Sequence, residues 1–437
     1  MVLGVVLHSR VAAQPELDTS FNSTGIQTVS FAGLVAGASD VAVQADNKVV
    51  MVGGCRLPPF SVKYCIARYN ENGSLDTSFG GGQGFVQLND ITYSYGVAIQ
   101  NNGKIVAVGS FNQQNQSSLT VVRHNPDGSL DSSFGSGGKI ITQLGLSGVD
   151  IGREVVIQPD GKIVVVGTSS PLGFVIRYLP NGTPDSSFAA GGMFTINIAT
   201  GDCLTLQPDG KILVGGYMVS TTGSSLIRLN PDGSLDTTWD GDGILTVTVP
   251  FAGNFKSIAV MPDGRVVAVI EARVIYRFNS NGSLDTSFDG DGYRVFVGEQ
   301  MVAVDIMVSG AGKITVVGQD PTDTFVILRF NADGNFDNGF SGDGRLRIGP
   351  AEHGFSMGGG TGGAIDGLGR LVVGGYAGDR FAVLRLVGPP VAATISGRVT
   401  NSNGSPILGA VVKTDVGGTI ITARTNPFGY YNLAGVL

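Results

Sequence analysis

"NPDGSLDTTWDGDG" occupies Asn230 to Gly243, and close copies stand at Asn125 ("NPDGSLDSSFGSGG"), Asn279 ("NSNGSLDTSFDGDG") and Asn331 ("NADGNFDNGFSGDG"). Asp-Gly and Asn-Gly supply the positive φ angles that tight turns need, so each copy reads as a corner between two strands. Aligning the aspartate of the "LDTSF" element along the chain gives Asp18, Asp76, Asp131, Asp185, Asp236, Asp285 and Asp337, at spacings of 58, 55, 54, 51, 49 and 52 residues. One element recurring at a near-constant period is the mark of a repeat architecture, here of seven units.

Working outward from the corner, each unit holds three more segments. Before it lies a hairpin such as "QPDGKIVVVGT" from Gln158, then a strand carrying an arginine ("IARYN", "VVRHN", "VIRYL", "LIRLN", "IYRFN", "ILRFN" and finally "VLRLV"). After it comes a fourth segment such as "GIQTVSF" or "GILTVTV". No segment has a convincing amphipathic helical period. Runs such as "KIVVV" are apolar without alternation, so these strands require cover on both faces. Four-stranded sheets stacked face to face around an axis provide it. The fold expected is all-β: a seven-bladed β-propeller of four-stranded antiparallel blades, followed by a partial β-sandwich segment. An open β-solenoid is the second architecture.

Inside the unit one separation never changes. Arg68 and Asp76, Arg123 and Asp131, Arg177 and Asp185, Arg228 and Asp236, Arg277 and Asp285, and Arg329 and Asp337 are each eight residues apart, although the unit length varies. A constant separation means a constant geometry, and guanidinium and carboxylate match in shape, so a two-pronged structural contact is expected at each corner. Arg385 has Ala393 eight residues on, and Asp18 has no propeller arginine before it, so Asp18 is expected to close on Arg385 across the seam; Arg10, also eight residues before Asp18, is a competitor. A ring of arginines receiving an anion is the functional alternative. The aromatic of the element (Phe21, Phe79, Phe134, Phe188, Trp239, Phe288, Phe340) reads as a wedge between blades rather than a sugar platform.

Composition narrows the partners. Gly at 68 of 437 residues is far above the usual ~7%, and marks turns. Charged residues are only 14% and the net charge is -7, which offers no basic stripe for a phosphate backbone and argues against nucleic acid. No stretch is long and apolar enough to span a membrane. Residues 1–16, "MVLGVVLHSRVAAQPE", read as a signal peptide or the remnant of a leader, with Val11, Ala12 and Ala13 as small residues of the cleavage type. Cys55 and Cys65 flank the mouth of one hairpin; a disulfide is one reading and two reduced thiols the other, with Cys203 left over.

Candidate chemistry is sparse. Asp240 with Asp242, and Asp289 with Asp291, sit in "DGDG" loops that resemble weak calcium sites, but other corners read "GGGQG", "GSGG" and "AAGG", so a solvated turn is preferred and calcium is the one cofactor weighed. His8, His124 and His353 lie in different units without zinc spacing. No nucleophile elbow, HExxH or Walker loop occurs. "GGGTGG" at Gly358 lacks the Lys-Ser or Lys-Thr of a phosphate cradle and reads as a connector. Catalytic residues, a bound cofactor and a metal are therefore not assigned.

These three recurring stretches, "LDTSFG.GG", "QPDGKIVVVG" and "RYNPDGS", resemble the delta-60 repeat family of bacterial secreted proteins from Leu17 to Leu386, with departures at "PDSSF", "FDNGF" and "DGLGR". A linker, residues 389–394, follows a propeller spanning 17–388. Residues 395–437, "SGRVTNSNGSPILGAVV" and "TNPFGYYNLAGV" with turns at Asn403-Gly404 and Pro427 to Gly429, resemble the start of a carboxypeptidase regulatory-like domain, a transthyretin-like β-sandwich. The resemblance implies an exported or surface-displayed modular protein without supplying a ligand. The function expected is a non-catalytic binding scaffold, monomeric, whose partner is a protein or a polysaccharide. The alternatives are a glycosidase or lyase with its site at the channel mouth, and a calcium-dependent adhesion module.

Overall fold

The computed structural model describes residues 17–387 apart from 32–33, 58–60, 90, 114–115, 145–148, 197–199, 219–222, 248–252, 272, 297, 323 and 350–357; beyond them it describes 393–398, 405, 407, 411–416, 419–424 and 430–436. The leader segment, with His8 and Arg10, lies outside these residues, as do His353 and both turns expected in the tail. No helix is long and apolar enough to cross a membrane among the described residues.

Seven four-stranded antiparallel sheets make the propeller. Blade 1 runs outward through Val35–Val43, Val49–Leu57, Ser61–Tyr69 and Phe85–Leu88. The inner strands of blades 2 to 7 are Tyr93–Ile99, Asp150–Ile157, Thr200–Leu206, Phe255–Val260, Val302–Val308 and Gly358–Ile365. Each inner strand touches the next around a closed ring. Blade 7 takes its outermost strand, Ile26–Val29, from the other end of the chain, pairing Ile26 with Leu384 and Val29 with Phe381.

The uninterrupted apolar runs are explained by this stacking. Val49, Val50, Met51 and Val52 are all fully buried, because alternate side chains serve the interfaces on either side of the blade. Val49 and Met51 pack with Val372 and Val383 of blade 7, whereas Val50 and Val52 pack with Val97 and Ile105 of blade 2. One apolar cluster fills each of the seven interfaces. Burial of this kind contributes roughly 25 cal/mol per Å² of apolar surface.

"GGGTGG" is not a connector. It is most of the inner strand of blade 7, Gly358–Ile365. The glycines are a packing requirement: a Cβ on Gly363 would collide with Met307, and one on Gly360 would press on Val317 at 2.8 Å.

The chain divides after Val387 into two compact units. In the second, Ala393–Arg398 pairs with Tyr430–Val436 and Val411–Val416 with Thr419–Arg424, as two antiparallel pairs. Its first strand thus begins two residues before the boundary expected at 395.

Candidate functional site: the central channel

Two constellations compete, and geometry separates them. At all seven corners the arginine Nε lies 2.6 to 2.8 Å from the aspartate Oδ2, including Arg385 and Asp18 at 2.8 Å. The contact is single, not two-pronged, because Oδ1 is already occupied: it accepts the amide and hydroxyl of the residue two further on, as in Ser78 onto Asp76 and Thr238 onto Asp236. The rest of the guanidinium fork goes elsewhere. Arg228 Nη2 donates to Thr238 Oγ1 at 3.0 Å, and its Nη1 to the Ser280 carbonyl of the next blade at 2.6 Å. Arg385 likewise reaches the Glu71 carbonyl of blade 1, so the seam carries the same cross-blade tie.

The corner aromatic lies under its own guanidinium in every copy, 4.3 to 4.8 Å from centroid to Cζ. Its edge meets the turn glycine of the following blade, Phe79 against Gly128 and Trp239 against Gly282. Those glycines have φ of +87° and +94° and no room for a side chain. A second cation joins each corner: Lys48, Lys104, Lys162, Lys211, Arg265, Lys313 and Arg370 stand 2.7 to 3.8 Å from the same aspartates. Burial opposes ionisation of Asp76 and Asp185, but the Ser78 and Ser187 donors and the flanking cations outweigh it and bring both down to about 2. Among the described residues, six of the seven arginines, all but Arg329, also donate to a backbone carbonyl of the next blade, an arrangement suited to holding blades rather than capturing an anion.

The "DGDG" aspartates serve turns. Asp242 and Asp291 accept the amides of Ile244 and Tyr293, and Asp289 pairs with Arg294 at 2.7 Å. Asp240, at φ +50°, donates its amide to the Asn281 carbonyl of the next blade. Among the described residues no group of three or more His, Cys, Asp or Glu is placed to hold a metal. Cys55 and Cys65 are joined, with S–S 1.98 Å and Cα–Cα 5.9 Å, and Cys203 is a buried thiol. His124 is buried; its Nδ1 donates to the Gly128 carbonyl and its Nε2 accepts from Tyr64 Oη of blade 1, at 2.8 and 3.0 Å.

The second constellation lines the axis. All seven inner strands carry a β-bulge at the same place, which leaves Ser39, Tyr95, Arg153, Asp202, Lys256, Val304 and Thr361 unpaired. A bulge re-aims a side chain, and here it turns one residue per blade into the channel. The glycine of "VVVG" in the second strand makes room: a Cβ on Gly109 or Gly167 would collide with the carbonyl of Tyr93 or Ile151 in the inner strand. The residues after the bulge are Asp40, Gly96, Glu154, Cys203, Ser257, Asp305 and Gly362.

Bulge residues and their neighbours enclose a cavity of about 200 Å³. Asp40 accepts the amides of Val41 and, from blade 2, Val97 at 2.8 Å. Asp305 accepts Ser257 Oγ at 2.6 Å and, from blade 7, the Gly363 amide at 2.8 Å. Because a Cβ on Gly362 would sit 3.0 Å from Asp40 Oδ1, Asp40 and Asp305 flank the same Gly362–Gly363 peptide. Burial pushes Asp40 up to about 7, against the Val97 amide and with added repulsion from Asp305. Burial and then Asp40 drive Glu154 well above the usual carboxylate range, and burial raises Asp305 despite its three donors. A larger recess of about 730 Å³ lies at the turn end of blades 1 and 2, but its cations, Lys48 and Arg68, are those already engaged by Asp76.

Reading the repeat as a corner motif missed the channel because no bulge residue recurs. A signal was present nonetheless: just before each "QPDGK" hairpin, where the copies are otherwise alike, seven positions hold seven different residues.

The chain is a β-propeller repeat protein. Residues 44–79, 100–134, 158–188, 207–238, 262–288 and 312–340 match the model of a family described as "Domain of unknown function (DUF5122) beta-propeller", one match in each of blades 1 to 6. No match is found among curated proteins. Among solved structures, the chain is similar to the WD40 β-propeller domain of Doa1 (12% identity, TM-score 0.50, covering 83% of this chain and 97% of that one). It is similar to Sqt1 of Chaetomium thermophilum (14%, 0.50, 81% and 95%) and to a catalytically inactive virginiamycin B lyase of Staphylococcus aureus (12%, 0.48, 83% and 99%). Identities this low show a shared fold alone.

Proposed function

We propose that this protein is a non-catalytic binding scaffold, exported or displayed at the cell surface, and that its ligand site is the channel with the blade ends that surround it. One observation carries this reading. Seven copies within a single chain share the arginine, aspartate and aromatic ring of the corner and differ at the residue each turns into the channel. Uniform positions serve the shared architecture, and a non-uniform polar lining suits one asymmetric ligand. The joined Cys55 and Cys65 support an oxidising compartment.

The test is a screen of the full chain against glycans and secreted proteins, repeated with Asp202→Asn/Lys256→Met. A partner captured by the parent and lost by the variant is expected. Capture that survives the substitutions removes the channel, and cleavage of a polysaccharide removes the non-catalytic part. A carbohydrate-active enzyme is the second reading, favoured by one observation: Asp40, Glu154 and Asp305 line one cavity, and glycoside hydrolysis uses a pair of facing carboxyls.

A further inference from the structure

The channel collects opposite charges that do not touch. Among the described residues Arg153 has no carboxylate within ion-pair distance; its guanidinium lies over the Tyr95 ring at 4.9 Å, and its Nε is buried without a hydrogen-bond partner. A buried donor left without an acceptor forfeits the hydrogen bond it made to water. The carboxyls of Asp40, Glu154 and Asp305 line the same cavity as Arg153, and burial holds all three toward the neutral form until a cation joins them. Lys256, the other channel cation, is drawn to Glu271 at 3.2 Å and does not join them. The cavity of about 200 Å³ has room for several waters and so for a small polar molecule. An anion alone would answer Arg153 and leave the carboxyls without a cation; a cation alone would leave Arg153 unanswered. A compact molecule carrying both satisfies the two sides at once.

We propose that the channel takes a small zwitterion of the α-amino-acid class, its carboxylate on Arg153 and its ammonium among Asp40, Glu154 and Asp305. This rests on the channel being the ligand site. Recognition is by paired hydrogen bonds from the guanidinium fork, which a lysine cannot reproduce.

The experiment is calorimetric titration of the full chain with each proteinogenic amino acid in turn, with ethylamine and propionate as single-charge probes. At least one amino acid is expected to bind and to raise the melting temperature, with neither single-charge probe reaching a tenth of its affinity. Arg153→Met is expected to weaken binding at least tenfold, and Arg153→Lys at least fivefold should the methionine variant not fold. Absence of binding by every amino acid overturns the proposal, as does binding unchanged by either substitution or matched by ethylamine. A macromolecular partner that is lost with Asp202→Asn/Lys256→Met but kept with Arg153→Met would remove the zwitterion and leave the proposed function standing.

Discussion

Arg228 divides its fork between Asp236, Thr238 and the Ser280 carbonyl while lying on Trp239, so it joins two blades through four partners. Asp236→Asn leaves the buried Arg228 and the half-buried Lys211 beside a neutral group, a loss on the order of 3 kcal/mol that chemical denaturation should read. Arg228→Lys is expected to lose nearly as much as Arg228→Met, since an ammonium cannot reach three acceptors and cover the indole. The acid response has a defined sign. Asp76 and Asp185 sit at about 2 in the folded chain against ~3.9 unfolded, so their contribution is complete above pH ~4 and disappears as pH falls through about 2. His124 acts in a different window: burial holds it at about 4, below ~6.5 in the unfolded chain. Its contribution to stability therefore declines between pH ~6.5 and 4 as the unfolded chain takes up the proton first. Asp40, raised to about 7, acts with the opposite sign over the same range, so the expected readout is a difference: the parent loses melting temperature relative to His124→Gln between pH ~6.5 and 4, and both lose it as pH falls through about 2. The eight-residue separation made the arginine and aspartate visible in sequence. Lys48 and its six counterparts recur just as regularly, but their distance from the aspartate varies with the intervening hairpin, so only folding shows that they converge.

Strands and turns divide the labour. The inner hairpins and the corners gather at one end of the sheets and keep their length, so the variation in unit length falls elsewhere in each repeat. The Cys55–Cys65 bond closes one of the variable stretches, in blade 1. Replacing both cysteines by serine or alanine is expected to cost up to about 3 kcal/mol from the lost loop constraint, seen as a lower denaturation midpoint. Strand identity was legible wherever apolar runs were flanked by Asp-Gly turns. It failed at "GGGTGG", because a strand whose neighbours press against its backbone must shed side chains and so loses the apolar pattern by which strands are read. The channel was illegible for a related reason: a bulge is a backbone event, and the side chains it redirects share no chemistry.

The ring as a whole depends on a join between distant parts of the chain. Asp18 and Arg385 meet 367 residues apart, Leu17 bridges Leu386, and Ile26–Val29 completes blade 7. Removing residues through Val29 uncovers the edge of Arg380–Leu386 and is expected to yield a chain that associates through that edge, readable by light scattering. A circular permutant that joins Val387 to Leu17 through a four-residue Pro-Asp-Gly-Ser turn, restoring the eight-residue separation of Arg385 and Asp18, with new termini ahead of Leu34, builds blade 7 from continuous chain and is expected to melt within a few degrees of the parent. Seven-fold repetition made this closure readable from an unmatched aspartate at one end and an unmatched arginine at the other. The join also orders events in time. The ring's first strand to be made must stay unsatisfied until its last one arrives, so the wheel has no partial credit along the way: six finished sectors wait on a latch whose two halves are the ring's earliest and latest strands.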